Sequence, residues 1–449
     1  MKLIKRILIT LAVVGLLLLA LLAGLVTTPD TTPLHDTGYY RQWKALLDST
    51  QVSRLEAGET LYAGWSKVGI TPDLPGPMAG YGKRRGKPYT EVLDSVFVRT
   101  IFLKNESSRA AIISADLLII PPTVIQQFRK LLTPSDLPFE SLYFGATHTH
   151  NSVGGWGKGI SGLFFSGPYN AEVEKKLAEA MLQSLREAQQ KPAPVRFTYK
   201  EGYDHANIAN RLIGDKGTTD PEIRAFELSD SSGRVVDLVS YGAHSTVLSS
   251  KTMALSRDWP GVLLDSLEQP AGHFAVYLAG AVGSMAPNSQ GGTDIEAMAA
   301  QGNGVLQSFR KAVPDSTLTT PVLNSLSLPL PLGDPKPRLT TRWALRSWAF
   351  NRLFGEYPQE IKALRIGNVL MVGVPCDFSG ELVAPLDQYA RKKGLNLMVT
   401  SFNGGYTGYV TDDRWYNLDK YETVTMNWFG PHKGAYFQEV IKDVIDLLQ

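Results

Sequence analysis

Residues 141–151 read S-L-Y-F-G-A-T-H-T-H-N, an apolar run that ends in two histidines, His148 and His150. The chain has only seven histidines, and two of them stand here. In an extended strand, residues two apart project to the same face. A strand over 142–148 therefore predicts both imidazoles side by side at the end of a buried strand. Metal sites are often built that way, and a chance pair is the competing reading at this point.

Outward from that stretch, alternating apolar segments predict further strands at 95–103, 110–117, 196–199, 222–228, 235–243, 274–279, 364–374 and 395–401. A helix is expected over 171–189, where Val173, Leu177, Met181, Leu185 and Ala188 form one apolar stripe. Asp258 with Pro260 signals an N-cap and first turn for a helix over 261–267. An amphipathic helix over 435–448 closes the chain. Strands and helices alternate without a strict βαβ rhythm. The expected fold is therefore mixed α/β, a large mixed β-sheet core flanked by helices; an amidohydrolase-type barrel, in which H-x-H also ends the first strand, is the competing reading and would need eight βα units, more than the helical patterns here supply.

Composition narrows the function classes. The chain of 449 residues is long enough for a large core, with 43% hydrophobic and 20% charged residues. Lys plus Arg number 45 against 43 for Asp plus Glu, and no basic patch or nucleic-acid module is evident, so no nucleic acid partner is expected. No protein partner is indicated either. The single cysteine, Cys376, excludes an internal disulfide and a multi-cysteine zinc site. Residues 1–6 carry three positive charges and 7–26 carry none. Twenty apolar residues in a helix rise about 30 Å, the thickness of a bilayer core. The expectation is a single-pass signal-anchor at 7–26 with the basic flank in the cytoplasm, a tether over 27–55 ending in a short helix, and a catalytic body at 56–449 on the far side of the membrane. Secretion after cleavage is the alternative, although no clean A-x-A site follows the apolar run.

A metal site needs ligands from elsewhere in the chain. Zinc takes His nitrogen and carboxylate oxygen, with one position kept for water in a catalytic site. His244 in Y-G-A-H-S-T and Asp377 in G-V-P-C-D-F-S-G stand after apolar strands, and Tyr409 lies in the loop N-G-G-Y-T-G-Y-V-T. Each alone has a plainer reading: a hydrogen-bonded strand-end histidine, a turn carboxylate, a packing tyrosine.

Taken together and in order, several stretches resemble the catalytic domain of the neutral, alkaline-type ceramidases. They are G-I-T-P-D-L-P-G-P-M-A-G-Y-G at 69–82, S-A-D-L at 114–117, A-T-H-T-H-N-S-V-G-G at 146–155, N-R at 210–211 and D-P-E at 220–222. G-A-H-S-T with L-S-R-D-W-P-G over 242–261, G-S-M-A-P-N at 283–288, P-C-D-F at 375–378 and Y-T-G-Y-V-T with K-Y-E and F-G-P over 406–431 complete the set. The resemblance implies a Zn2+ site of His148, His244, Asp377 and Tyr409. It implies that His150 assists at the substrate and the metal-bound water, and that Arg211 and Tyr421 hold the amide or stabilise the oxyanion. The implied reaction is hydrolysis of the N-acyl amide of a ceramide-like lipid at a membrane surface, releasing a fatty acid and a sphingoid base.

Three departures from that family pattern stand out. The family has Pro-Gly-Glu where this chain has Pro375-Cys376-Asp377, a carboxylate one methylene shorter, with Glu381 as a fallback ligand. Ala286 stands where the family has a serine before Pro-Asn, with Ser284 and Ser289 nearby, so a serine nucleophile at that position is excluded. No counterpart of the family's immunoglobulin-like domain follows Pro431, and R-W-A-L-R-S-W-A-F-N-R-L-F at 342–354 reads as an amphipathic helix, at a lipid interface or packed on the body. An amidase acting on another N-acyl substrate and a catalytically silent lipid-binding protein are the alternatives. The glycine-rich stretch 153–167 reads as a lid, K-R-R at 83–85 as a solvated turn, Cys376 as a buried neighbour of the site, and His35, His205, His273 and His432 as structural or surface residues.

Overall fold

A computed structural model of the chain describes residues 2–51, 57–289, 291–315 and 321–449. The expected boundary between tether and catalytic body at 55/56 lies outside the described residues. Eight strands form the path of one large sheet: β1 (Leu61–Gly69), β2 (Phe97–Lys104), β3 (Arg109–Ala115), β4 (Leu142–Ala146), β5 (Ala193–Tyr203), β6 (Glu222–Asp230), β7 (Val235–Tyr241) and β8 (His273–Ala279). Their spatial order is β8-β7-β6-β5-β1-β2-β3-β4, and the short strand Val313–Pro314 pairs with β5. A second sheet runs in the order β9 (Leu323–Pro329), β10 (Glu360–Ile366), β11 (Val369–Gly373) and β12 (Asn396–Thr400). Both sheets are mixed: β3–β4, β7–β8 and β11–β12 are parallel pairs, and the others are antiparallel.

The two sheets pack face to face. Ile101, Ile112, Phe226 and Leu278 of the first meet Leu323, Leu364, Met371 and Met398 of the second in a single apolar cluster. The helices along the chain are α1 (Lys2–Leu25), α2 (Gly38–Ser49), α3 (Pro122–Leu131), α4 (Gly159–Ser166), α5 (Ala171–Ala188), α6 (Asp258–Leu267), α7 (Asp294–Phe309), α8 (Ser347–Phe354), α9 (Val383–Lys392) and α10 (Lys433–Leu447), and several of them cover the outer faces of the sheets. The cluster outside the large sheet takes Phe128 of α3, Leu177 and Met181 of α5, Leu263 of α6 and Val305 of α7. The one outside the small sheet takes Trp43 of α2, Leu386 of α9 and Phe437 and Ile441 of α10. Helix, sheet, sheet, helix is the layering.

The expected mixed sheet with flanking helices is present, with differences in detail. The segment 364–374 is not one strand. Gly367 adopts φ 59° and turns the chain back, so that β10 and β11 form a hairpin. The short helix expected in 27–55 is α2, and it is docked on the body: its Trp43 is fully buried, with Nε1 donating to Asp443 of α10 at 2.8 Å. Residues 342–346 are not helical; α8 begins at Ser347, and Ala344–Leu345 pair instead with Val26–Thr27. Asp258 is not an ordinary N-cap. It sits at φ 55° with Arg257 before the helix, and its carboxylate accepts from the amides of Trp259 and Leu248. Most of the glycine-rich stretch is helical as α4, and Trp156 is buried with its Nε1 donating to Val153. The helix expected over 171–189 is α5, capped by the Asn170 side chain, which accepts from Glu172 N.

α5 lies very close to the sheet because Gly64 of β1 has no side chain. A Cβ added there would meet the Ala188 carbonyl oxygen at 2.1 Å, and backbone does not yield easily. Gly64→Ala is therefore expected to cost about 1–3 kcal/mol by forcing helix and sheet apart. A lower denaturant midpoint at unchanged slope is the measurement that checks it.

Candidate active site

The site lies at the carboxyl ends of the parallel strand pairs of both sheets, the place where open α/β sheets generally offer a crevice. His148 follows β4, His244 follows β7, Asp377 follows β11, and Phe402, Tyr406 and Tyr409 follow β12. The loops are stitched together. Thr147 N donates to Ala115 O at 3.0 Å, Ser245 Oγ to Thr147 O at 2.6 Å, and Ser401 N to Ala279 O at 3.0 Å, which joins the two sheets at this end.

β4 stops at Ala146, and His148 takes a left-handed conformation at φ 60°. The strand alternation expected to align the two histidines is absent. Loop geometry brings them together instead, with Nε2 of His150 3.3 Å from Nε2 of His148. His148 Nδ1 lies 2.6 Å from Leu118 O, and His244 Nδ1 lies 2.8 Å from Val282 O. A carbonyl oxygen only accepts, so both Nδ1 atoms carry the proton and both Nε2 atoms present lone pairs. Those Nε2 atoms are 2.9 Å apart. Asp377 Oδ1 lies 3.5 Å from the first and 3.4 Å from the second, buried and without a hydrogen-bond partner.

This arrangement is a test of fit for a cation. Burial pushes the His148 pKa down to about 3, and it pushes those of His150 and His244 well below the ordinary value. Burial also pushes Asp377 up to about 7. Two nitrogen lone pairs and an orphaned carboxylate oxygen facing one another inside the protein repel unless something positive stands between them. The group His148, His150 and His244, the first and last buried and His150 partly so, has ligand atoms within 4.8 Å of one another and the geometry to hold a metal ion.

Tyr409 joins from the side. It is the register partner of Asp377 in a two-residue parallel pairing, so the candidate oxygen ligands leave neighbouring backbones at the same level. Its hydroxyl is 3.4 Å from His244 Nε2 and accepts from Arg211 at 2.7 Å. Arg211 is also ion-paired with Glu422 at 3.0 Å. Tyr421, nearly half exposed, sets its ring edge-on to Tyr409. All seven sequence-derived residues thus stand around one point, with Tyr421 the outermost.

A cavity of about 330 Å³ opens above them. His148, His150, Asp377, Tyr409 and Tyr421 supply its polar wall, and Trp156, Phe165, Phe350, Phe354, Tyr406 and Trp428 supply much of the rest. One end holds the histidine and carboxylate cluster, and much of the remainder is apolar and aromatic, with Lys158, Asp334 and Glu356 among its polar members.

Two solved structures share this architecture. The crystal structure of neutral ceramidase from Pseudomonas aeruginosa superposes with a TM-score of 0.75 at 16% identity, covering 88% of this chain and 75% of that one. This chain has the neutral ceramidase fold. A ceramidase structure complexed with C2 superposes with a TM-score of 0.74, at the same identity and coverage. No protein-family model and no curated protein matches the sequence.

On this ceramidase fold, the shorter carboxylate of Asp377 stands beside the two histidines, and the fallback candidate points elsewhere. Glu381 is turned toward Trp415, whose Nε1 lies 3.2 Å from it. Ala286 sits in a short strand opposite Ala209, and Ser284 Oγ is tied to Ser379 Oγ at 2.5 Å. Cys376 is buried, and burial pushes its thiol well above the usual range, as suits a neighbour and not a nucleophile. Arg84 is a correction: it is no solvated turn residue but is buried, donating to the carbonyls of His150, Ser249 and Thr252 and to Asn151 Oδ1.

Three supporting residues escaped the sequence reading. Phe402, at φ 66°, stacks on His148 with ring centroids 4.1 Å apart. Trp259 Nε1 donates to His244 O at 3.0 Å. Tyr406 donates to Asp377 Oδ2 at 2.7 Å, which leaves Oδ1 to face the histidines. Only the position of Tyr406 three residues before Tyr409 hinted at a role. Tyr406→Phe removes that one hydroxyl and should weaken metal binding about 10–100-fold, as loss of an outer partner of a ligand typically does. Competition against a chelator of known affinity measures it, and an unchanged affinity would show Asp377 to be placed by packing alone.

Proposed function

We propose that this protein is a zinc-dependent amide hydrolase that cleaves the N-acyl bond of a ceramide-like lipid. The observation that carries the reading is the unpartnered Asp377 Oδ1 facing two histidine lone pairs at the end of an apolar cavity, on a ceramidase fold. His148, His244, Asp377 and Tyr409 would hold the ion. When bound, zinc supplies Lewis acidity toward an amide carbonyl and a water acidic enough to react near neutral pH.

The chain's own residues supply the rest. His150 lines the cavity, is kept neutral by burial, and has an Nδ1 without a partner, so it is fitted to take up a proton and return it to the departing amine. Arg211 places a guanidinium beside Tyr409, where negative charge develops on the carbonyl oxygen. Tyr421 stands at the outer wall and orients the amide. The aromatic wall accepts acyl and sphingoid chains by excluding water from both.

The lipid arrives from a membrane in this reading. α1 is apolar for the length of a bilayer and none of its described side chains is buried, which supports a signal-anchor, and the basic flank at 1–6 places that end in the cytoplasm; secretion after cleavage is the other outcome. A second reading, an amidase for another N-acyl lipid or a silent lipid binder, is favoured by one observation, Ala286 in place of a hydroxyl.

The test is a product screen on the purified full-length chain in mixed micelles. N-acyl sphingosine should release fatty acid, a chelator should stop it, and about one zinc per chain should restore it. Release that survives complete metal removal would sink the metal reading. A zinc-loaded protein that cleaves other N-acyl amines would move the substrate, and one that cleaves none would favour the lipid binder.

A further inference from the structure

The apolar N-terminal helix is not joined to the body by a loose connection. Where α1 ends, Val26 and Thr27 pair antiparallel with Leu345 and Ala344. Arg346 N donates to Leu25 O at 2.8 Å, and Trp348 Nε1 donates to Gly24 O at 3.1 Å. The last turn of α1 is therefore clamped to the strip that leads directly into α8.

α8 in turn forms the rim of the cavity. Phe350 and Phe354 face inward, while α4 lies alongside, tied by Ser161 Oγ to Leu353 O at 2.7 Å, and lends Phe165 to the same wall. The outward faces of these two helices and the strip before α8 are apolar and bare. Ile160 is 68% exposed, Phe164 59%, Trp348 57% and Trp343 52%. Arg342, Arg346 and Arg352 are exposed among them. Large apolar side chains interspersed with tryptophan and arginine, in one patch, have the composition of a membrane–water interface rather than of a water-facing surface. The position of the patch names its occupant: it surrounds the point where a bilayer-length helix leaves the body.

We propose that the α4–α8 lip is seated in the headgroup layer of the bilayer that α1 spans, so that the cavity opens into lipid and substrate enters it without crossing water. This rests on the anchor reading above. It adds that the anchor also orients the site. A short clamp and an apolar rim leave the mouth facing the membrane, where a freely tethered domain would sample all orientations. The arginines meet lipid phosphates while the aromatic side chains sit at the level of the glycerol backbone.

The full-length chain, reconstituted in phosphatidylcholine vesicles, provides the test. Ile160→Cys, Phe164→Cys and Trp348→Cys each place a single reactive thiol for an environment-sensitive fluorophore, because Cys376 is buried. Val313→Cys, 69% exposed on the short strand that pairs with β5 of the large sheet and outside the cavity lining, serves as the comparison. The three lip labels should be blue-shifted, quenched by brominated lipid and protected from iodide, while the label at 313 behaves oppositely. Vesicle flotation separates the failures. A chain that does not float with the vesicles overturns the anchor and the lip together. A chain that floats, with lip labels as open to iodide as the label at 313, overturns the lip alone. Labels shielded from iodide yet untouched by brominated lipid mean that protein covers the face, and that also overturns it.

Discussion

His148→Ala is expected to abolish metal binding and to lower turnover by about 10³-fold or more, equivalent to about 4 kcal/mol of lost transition-state stabilisation. The imidazole is the hub of the site. Its Nε2 lies 2.9 Å from that of His244, 3.3 Å from that of His150 and 3.5 Å from Asp377 Oδ1, so its removal opens one side of the cluster. The folded state should survive, since alanine introduces no new polar group, although Phe402 loses its stacking partner. Metal content measured beside the unfolding transition separates loss of the site from loss of the fold. His244→Ala should act alike, from an ordinary backbone conformation in place of the left-handed one at 148. Retention of both metal and turnover by His148→Ala would show that the chemistry is done elsewhere.

Arg211→Met should keep the metal yet lower kcat by about 10²–10³-fold, or about 2.7–4 kcal/mol, with a smaller change in KM. The side chain makes two contacts, a 2.7 Å hydrogen bond to Tyr409 and a 3.0 Å ion pair with Glu422. Its loss has two consequences that must be distinguished. One is a missing positive donor beside the reacting carbonyl. The other is an unpaired carboxylate at Glu422, which lowers stability. The double variant Arg211→Met/Glu422→Gln removes the second and should recover stability without recovering kcat. Recovery of both would make Arg211 a purely structural partner. Arg211→Lys should fall between, because an ammonium keeps the charge but cannot serve both neighbours in a planar fork.

Some of this was legible along the chain and some was not. Strand and helix positions followed apolar periodicity closely for β6, expected over 222–228 and found over Glu222–Asp230, and for α5, which has a capping Asn170 and one stripe. Periodicity failed where a single residue decides the backbone. Gly367 divides one apolar run into β10 and β11, and no periodic signal marks that turn. It also missed β1, α3, α7, β9 and α9, whose apolar positions are interrupted by glycine, proline or polar residues that tertiary packing accommodates. The reading of K-R-R as solvent-facing failed at Arg84 for a related reason: a charge looks exposed in sequence until the carbonyls that will surround it are known.

The sequence by itself determined the chemistry available: which imidazoles, carboxylate and phenols the chain carries, that each ligand candidate follows an apolar strand, and that the N-terminus is apolar for the length of a bilayer. Only the tertiary structure decided what faces what. It replaced strand alternation by a left-handed His148, set Asp377 beside Tyr409 in register, enlisted Tyr406 and Phe402 as supports, and clamped the N-terminal helix to the rim of the cavity. Residue type and hydrophobic period are local properties and can be read from neighbours in the chain. Convergence is not local, because residues up to 254 positions apart, His148 and Phe402, meet here only once two sheets have packed and brought their parallel strand ends to one edge.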